Sequence, residues 1–164
     1  MLNLRLAAEL TIDSVVDGPG LRTVVWCQGC CHQCPECHNP ATHSRTGGFE
    51  RAVSQIIREI LAVEMQSGVT FSGGEPMLQA EGCAAVARVL KQRGINIWCY
   101  SGFTFEYLLK RPECLEFLHY IDVLVDGRFI PELKSYDLVF RGSANQRLIN
   151  VSKSLKENRV ILLD

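Results

Sequence analysis

Residues 23–39 read TVVWCQGCCHQCPECHN, an apolar β-rich run that leads directly into a loop rich in cysteine. The chain has eight cysteines, and five of them lie between positions 27 and 37. A disulfide framework uses cysteines spread along a secreted chain, whereas these are grouped. Clustered thiols, in a chain that we expect to stay in the reducing cytoplasm, therefore favour a metal ion or an iron–sulfur cluster.

Two overlapping sets of cysteines in this loop have the spacing C-x3-C-x2-C. One set is Cys27, Cys31 and Cys34, and the other is Cys30, Cys34 and Cys37. Three thiolates on so short a loop can bind three irons of a [4Fe-4S] cubane and leave the fourth iron open, as catalytic metal sites do. The alternatives are a zinc knuckle completed by one of the loop's two histidines, and thiols that bind no metal.

Apolar β-rich runs recur along the chain, and amphipathic helical patterns separate the first four of them. The predicted strands cover residues 23–27, 69–72, 95–100, 121–125 and 148–151. The predicted helices contain residues 53–61, 80–90 and 105–118, the last one interrupted by Pro112. Strands that alternate with helices in this way predict right-handed parallel crossovers.

The length of the chain limits how many such units it can contain. A closed barrel of eight units needs about 200 residues or more, and the chain has 164. We therefore predict an α/β fold, either an incomplete, open β/α barrel or a curved α/β sheet, in a single compact domain over residues 1–164. In both architectures ligands bind at the carboxyl ends of the strands.

The charge balance and hydropathy exclude other classes of protein. Seventeen Lys and Arg residues stand against eighteen Asp and Glu, for a formal net charge of −1, which is unlike the basic excess of nucleic-acid binders. No apolar run approaches the ~18 residues that cross a bilayer. The N-terminal stretch of residues 1–11 is interrupted by Glu9 and lacks a small-residue cleavage site, so we expect no secretory signal and a cytoplasmic protein.

A second motif, FSGGEP at residues 71–76, follows the second predicted strand directly. Two adjacent glycines let the backbone come close to a ligand, while Glu75 or neighbouring carbonyl groups can meet an ammonium group. Taken alone, the glycine pair fits an ordinary strand-to-helix turn equally well.

In order along the chain, the cysteine loop and this second motif resemble the radical S-adenosylmethionine enzymes that activate glycyl radical enzymes. The resemblance includes Gly29 before the cysteines, His38 and Asn39 after them, and the segment DGPG at residues 17–20. The family often has an aromatic residue before the third cysteine, where this chain has Glu36. The alignment of Gly29, His38 and Asn39 with the family selects the second register of the cysteine motif. The cluster ligands that the resemblance implies are Cys30, Cys34 and Cys37.

The resemblance implies an open β/α barrel of the radical S-adenosylmethionine type, with a [4Fe-4S] cluster and S-adenosylmethionine as cofactors. In this chemistry the reduced cluster cleaves S-adenosylmethionine to methionine and a 5′-deoxyadenosyl radical, which removes a hydrogen atom from the substrate. No general acid or base is needed, so we assign no catalytic residue beyond the cluster and its cofactor.

Six residues at or just after predicted strand ends are expected to bind S-adenosylmethionine. The glycines and the glutamate of the second motif correspond to the family's site for the methionine amino group. The serine and the aspartate are expected to touch polar groups of the cofactor, and the arginine to pair with its carboxylate. These residues are Gly73, Gly74, Glu75, Ser101, Asp126 and Arg128.

Three shorter segments, at residues 98–103, 122–129 and 141–147, extend the resemblance to a compact subgroup of activases that act on anaerobic (class III) ribonucleotide reductase. The large subunit of that reductase is then the expected protein partner, with Arg141 and Asn145 as candidate contacts, and a reduced flavodoxin or ferredoxin is the expected electron donor. The alternatives are activation of another glycyl radical enzyme such as pyruvate formate-lyase, small-molecule radical chemistry of the deazaguanine synthase type, and a non-catalytic iron–sulfur or zinc module.

Overall fold

The computed structural model describes residues 1–163, within which eight strands form one sheet. The strands are β1 (Asn3–Leu6), β2 (Thr11–Ser14), β3 (Arg22–Cys27), β4 (Phe49–Ala52), β5 (Gly68–Gly73), β6 (Asn96–Ser101), β7 (Val123–Asp126) and β8 (Arg147–Asn150). Their order is β4-β1-β3-β5-β6-β7-β8, with β2 also paired to β3. Because β4 and β8 form the two edges, the sheet is open rather than closed into a barrel.

The centre of the sheet consists of four parallel strands, β3, β5, β6 and β7. Each connection between them passes through at least one helix, as parallel pairing requires. The helices are α1 (Val53–Leu61), α2 (Ala80–Gln92), α3 (Phe105–Leu109), α4 (Pro112–Tyr120) and α5 (Val151–Glu157). The remaining strands pair antiparallel: β1 with β3 and β4, β2 with β3, and β8 with β7.

The two faces of the sheet are covered differently. In β6, Ile97 and Cys99 belong to the main core under the helices, whereas Trp98 belongs to a separate cluster with Val123 and Val125. Successive side chains of a strand point to opposite faces, so the second cluster marks the face away from the helices. That face is partly covered by the long segment between β7 and β8, which contributes Phe140.

The predicted fold class is confirmed, and three predicted strands and all predicted helices coincide with observed elements. The predicted interruption at Pro112 is observed: the third predicted helix is divided into α3 and α4, and Pro112 begins α4, because proline lacks only an N–H that a first turn leaves unpaired. The fourth and fifth strands are displaced from their predicted limits. β7 starts at Val123, and Val151 begins α5 because the side chain of Asn150 accepts a hydrogen bond from the Lys153 N–H and ends β8.

Three short strands, β1, β2 and β4, extend the sheet beyond the predicted elements. β1 pairs with β4 over four residue pairs, from Asn3 with Ala52 to Leu6 with Phe49. Their role is to form the edge of the sheet beside the cysteine loop. Within residues 1–163, no helix has both the length and the apolar character that a membrane crossing requires.

Candidate functional site

The carboxyl ends of β3, β5 and β6 open into a cavity of about 590 Å³. Cys30, Cys34 and Cys37 all line it, which brings together the three cysteines of the second register. The first register is not brought together, because Cys27 is fully buried with its sulfur 3.8 Å from that of Cys83, and Cys31 is exposed. This arrangement supports the second register, which stays a prediction.

Backbone hydrogen bonds hold the cysteine loop against two other segments. Gly29 N–H donates to the carbonyl of Thr42 at 2.7 Å, and Cys30 N–H donates to that of His43 at 3.2 Å. On the other side, Glu75 N–H donates to the carbonyl of Gly29 at 2.8 Å. Gly29 itself has a φ of +102°, a conformation that glycine adopts without strain.

The glycine pair at the end of β5, Gly73 and Gly74, forms the floor of the cavity, and the structure gives a local reason for both glycines. Gly73 has a φ of +100°, and a Cβ there would collide with the backbone of Cys27. A Cβ on Gly74 would collide with the carbonyl of Gly29. The glycines therefore let the end of β5 pack directly against the cysteine loop while both residues still line the cavity.

Glu75 is used inside the protein. Its carboxylate is fully buried and accepts hydrogen bonds from Met77 N–H, from the Ser101 hydroxyl, from Gly102 N–H and from His32 Nε2, the last at 2.6 Å. Of the residues that the structure describes, Ser101 lines the cavity, whereas Glu75 does not. Gly73 and Gly74 are the members of this motif that line the cavity, and a direct role of the Glu75 carboxylate in cofactor binding stays a prediction.

Asp126 likewise has partners within the fold. Its two oxygens accept hydrogen bonds from Arg147 Nε at 3.0 Å and Nη2 at 2.6 Å, and Oδ2 also accepts from the N–H of Phe105 at 2.8 Å. These bonds, together with a bond to Glu106, raise the pKa of the Arg147 guanidinium above its ordinary value. Asp126 thus links β7, β8 and the start of α3. It is not among the described cavity-lining residues, so its predicted contact with the cofactor stays a prediction.

Arginine side chains supply positive charge at the cavity. Arg128 is exposed and lines it, as does Arg141, which was predicted as a partner contact. Arg141 donates from Nη1 to the carbonyl of Gln146, while its Nε is buried without a partner within residues 1–163. Asn145 donates to the carbonyl of Arg128 at 2.7 Å and so holds the Arg128 loop. Guanidinium groups suit the carboxylate of an amino acid.

The donor set fits an iron–sulfur cluster. Burial raises the pKa of the Cys30 thiol, and a bound iron would stabilise its thiolate. Within residues 1–163, no three His, Cys, Asp or Glu side chains converge on a point that a single metal ion could occupy. A cubane instead takes its thiolates at separate corners. The cavity volume is ample for a cluster with a nucleoside-sized ligand.

Two features of the site have no counterpart in the sequence prediction. His32, one of the two histidines of the cysteine loop, pairs with Glu75, and its Nδ1 is buried without a partner within residues 1–163. Phe140 comes to the cavity wall from a segment that no periodicity marked, and its carbonyl accepts from the Tyr100 hydroxyl at 2.7 Å. Both depend on contacts between residues about 40 positions apart, which local patterns do not report.

Comparisons with known proteins point to one family. A family model described as a 4Fe-4S single cluster domain matches residues 16–149. The anaerobic ribonucleoside-triphosphate reductase-activating protein of Vibrio cholerae is 37% identical over 140 residues, which cover 80% of this chain and 89% of that protein. Its Escherichia coli K12 counterpart is 32% identical over 141 residues, covering 80% and 90%.

A second kind of activating enzyme is similar over a shorter region. The pyruvate formate-lyase-activating enzyme of Clostridium pasteurianum is 41% identical over 108 residues, but these cover 60% of this chain and only 45% of that enzyme. The match to the reductase-activating proteins extends over most of both chains. The chain therefore belongs to the radical S-adenosylmethionine activating enzymes, in the family of the anaerobic ribonucleoside-triphosphate reductase-activating proteins.

Proposed function

We propose that this protein activates an anaerobic (class III) ribonucleotide reductase by generating a glycyl radical on its large subunit. The observation that carries the proposal is the convergence of Cys30, Cys34 and Cys37 with the glycine pair Gly73 and Gly74 on one cavity at the carboxyl ends of parallel strands. Family membership and the coverage of the matched relatives support it. We propose residues 1–164 as one activase domain, located in the cytoplasm.

The chain's own residues bind and orient the reactants. The three cysteines would hold three irons of a [4Fe-4S] cluster and leave one iron without a side-chain ligand. Gly73 and Gly74 would offer backbone groups to the amino-acid part of S-adenosylmethionine, and Arg128 would offer its guanidinium to the carboxylate. When bound and reduced, the cluster would supply the one electron that cleaves the C5′–S bond of S-adenosylmethionine to methionine and a 5′-deoxyadenosyl radical.

Exposed apolar residues at the cavity suit a protein substrate. Val15 and Val16, from the segment after β2, and Phe140, from the segment before β8, line the cavity. Val15 and Val16 are 63% and 73% exposed. These side chains offer an apolar contact to a backbone loop of a partner. A reduced flavodoxin or ferredoxin is the electron donor in this proposal.

The test combines a small-molecule product with a radical signal on the partner. Protein reconstituted anaerobically with iron and sulfide is mixed with dithionite and S-adenosylmethionine, and 5′-deoxyadenosine is measured by chromatography. Addition of the large subunit of a class III reductase is expected to produce a glycyl radical signal in electron paramagnetic resonance. A cluster-bearing protein that forms no 5′-deoxyadenosine would contradict the proposal and favour a non-catalytic iron–sulfur module.

Activation of a pyruvate formate-lyase is the second candidate, because the similarity to its activating enzyme reaches 41% over 108 residues. The same assay with pyruvate formate-lyase in place of the reductase separates the two. We expect the radical signal on the reductase alone. A signal on pyruvate formate-lyase alone would change the assigned partner and leave the radical chemistry in place.

A further inference from the structure

We infer that His32 is a positioning residue of the cluster loop: its imidazole holds on Glu75 the loop that carries Cys30 and Cys34. The inference rests on the proposed function, because it takes Cys30 to be a cluster ligand. It concerns a side chain that lies between two predicted ligands, Cys30 and Cys34, and that the sequence left without a role in the chemistry.

The imidazole of His32 is buried, although the residues next to it in the sequence are exposed. The His32 side chain is 3% exposed, whereas Cys31 and Gln33 on either side are exposed. The ring packs edge-on against Phe103, with 4.5 Å between the ring centres. It also fills the space beside Gly102, where any Cβ would collide with the ring. Position 102 therefore accommodates the imidazole and little else.

The bond to Glu75 joins two motifs that are far apart in sequence. Met77 N–H, the Ser101 hydroxyl and Gly102 N–H fix the Glu75 carboxylate from the β5 and β6 sides. Nε2 of His32 is the donor from the cysteine loop, at 2.6 Å. An ionised carboxylate only accepts hydrogen bonds, so the imidazole proton that matters here is the one on Nε2. This bond fixes the side chain, and with it the backbone, of residue 32.

The bond to Glu75 acts on the backbone between two predicted ligands. Residue 32 lies between Cys30 and Cys34, which both line the cavity, so holding its side chain on Glu75 restricts the backbone that presents both sulfurs. Interactions that orient the ligands of a metal site tune the properties of that site. The chain retains the imidazole even though its Nδ1 is buried without a partner within residues 1–163. Such an atom is costly, so the bond made by the other ring nitrogen has to compensate for it.

Two substitutions separate the bond from the bulk of the side chain. His32→Gln keeps an N–H donor at about the distance of Nε2 from the backbone, while His32→Asn places its donor at the distance of Nδ1. In cluster-free protein, hydrogen exchange of the amides in residues 28–38 is expected to be about tenfold faster in the Asn variant and near wild type in the Gln variant, as for loss of one buried hydrogen bond. His119→Gln, at an exposed histidine, is the control.

The reconstituted proteins give a second readout. We expect a shifted cluster potential and altered g-values for the reduced cluster in His32→Asn, because the loop that carries Cys30 and Cys34 is no longer held on Glu75, with recovery in His32→Gln. If His32→Asn does not fold, Gly102→Ala displaces the ring without changing the loop and is expected to reproduce the fast exchange. Equal exchange and equal potentials in the Asn, Gln and wild-type proteins would overturn the inference.

The failure of the inference can be told apart from the failure of the proposed function. If wild-type protein binds no cluster or forms no 5′-deoxyadenosine, the proposed function is wrong, and the exchange experiment on cluster-free protein still tests the bond between His32 and Glu75. If the wild type is active and the Asn variant matches it in exchange and in potential, only the role of His32 is wrong.

Discussion

The two ends of the parallel strands differ in how completely their buried polar groups are paired. At the amino end, the guanidinium of Arg22 is 1% exposed, and all three of its nitrogens donate hydrogen bonds. The acceptors are the Thr70 hydroxyl at 2.8 Å, the carbonyls of Pro19 and Val69, and the side chain of Asn96. Burial lowers the pKa of Arg22 to about 10. A cavity of about 380 Å³ touches this residue, but its donors are already used.

At the carboxyl end, polar atoms remain unpaired. Among residues 1–163, the buried side-chain atoms without a partner are His32 Nδ1, Arg141 Nε and Asn145 Oδ1. His32 and Arg141 line the large cavity, and Asn145 holds the loop of Arg128, which also lines it. Leaving such a group unpaired costs about 1–3 kcal/mol, and a polar ligand can recover part of that cost. The buried polar groups around Arg22 at the amino end are therefore satisfied by the fold itself, whereas three polar atoms at the carboxyl end stay available to a ligand.

The largest effect is expected from removing a thiol at the carboxyl end. Cys37→Ser should abolish the [4Fe-4S] absorption after reconstitution, because one iron loses its thiolate. Cys27→Ser, in the buried strand end, should keep most of that absorption. Iron and sulfide content and the visible spectrum measure both variants. The opposite pattern would show that Cys27, Cys31 and Cys34 are the ligands.

Arg22→Met is expected to lower the free energy of unfolding by about 3 kcal/mol, because buried carbonyls and a hydroxyl lose their donor. Urea denaturation of the cluster-free protein measures this. Arg88→Met, at an exposed position, is the matched control and should stay within about 0.5 kcal/mol of wild type. A folded Arg22→Met protein with normal stability but no cluster would contradict the division between the two ends.

Arg141→Met should weaken the binding of S-adenosylmethionine to the reconstituted protein about tenfold, since charge-assisted hydrogen bonds are stronger than neutral ones. Equilibrium binding under anaerobic conditions measures the affinity, with cluster content as the control. An unchanged affinity together with weaker binding of the reductase would return Arg141 to the partner contact predicted from the sequence.

The smallest effect concerns pH and the core thiols. Burial raises the pKa of Cys83 and Cys99 well above the ordinary thiol value of 9.0. The folded protein then keeps these protons at a pH where the unfolded chain releases them, so the free energy of unfolding is expected to fall as pH rises above about 9. Urea denaturation between pH 7 and pH 10 measures this. The variant with both Cys83→Ala and Cys99→Ala is the control and is expected to lose part of this fall, and a fall as large as that of the wild type would contradict the assignment.

Strong local patterns made much of the fold predictable. The β-branched run in β3 and the amphipathic faces of α1 and α2 determine parallel crossovers with little dependence on distant residues. β1 and β4 could not be predicted in the same way, because each is four residues long and is stabilised by pairing with residues 43 to 49 positions away, from Leu6 with Phe49 to Asn3 with Ala52. Sequence patterns do not report such long-range pairing.

In the candidate site, too, the features set by local sequence were predictable and those set by long-range contacts were not. Glycine pairs and cysteine spacing are local, so the cavity floor and its thiols were predicted from the motifs. The carboxylates Glu75 and Asp126 were predicted to face the cofactor, whereas each has its oxygens bonded inside the fold, to His32 and to Arg147. Whether a strand-end carboxylate faces a cavity or a buried donor depends on which side chain arrives from elsewhere in the chain, and the motif does not determine this.

The central claim is that one iron of the cluster has no side-chain ligand and is free to bind S-adenosylmethionine. Mössbauer spectroscopy of protein reconstituted with iron-57, before and after addition of S-adenosylmethionine, tests it most directly. We expect the signal of one iron in four to change while the other three stay as they were. Four irons that are all unaffected by S-adenosylmethionine, or a protein that assembles no [4Fe-4S] cluster, would contradict the account.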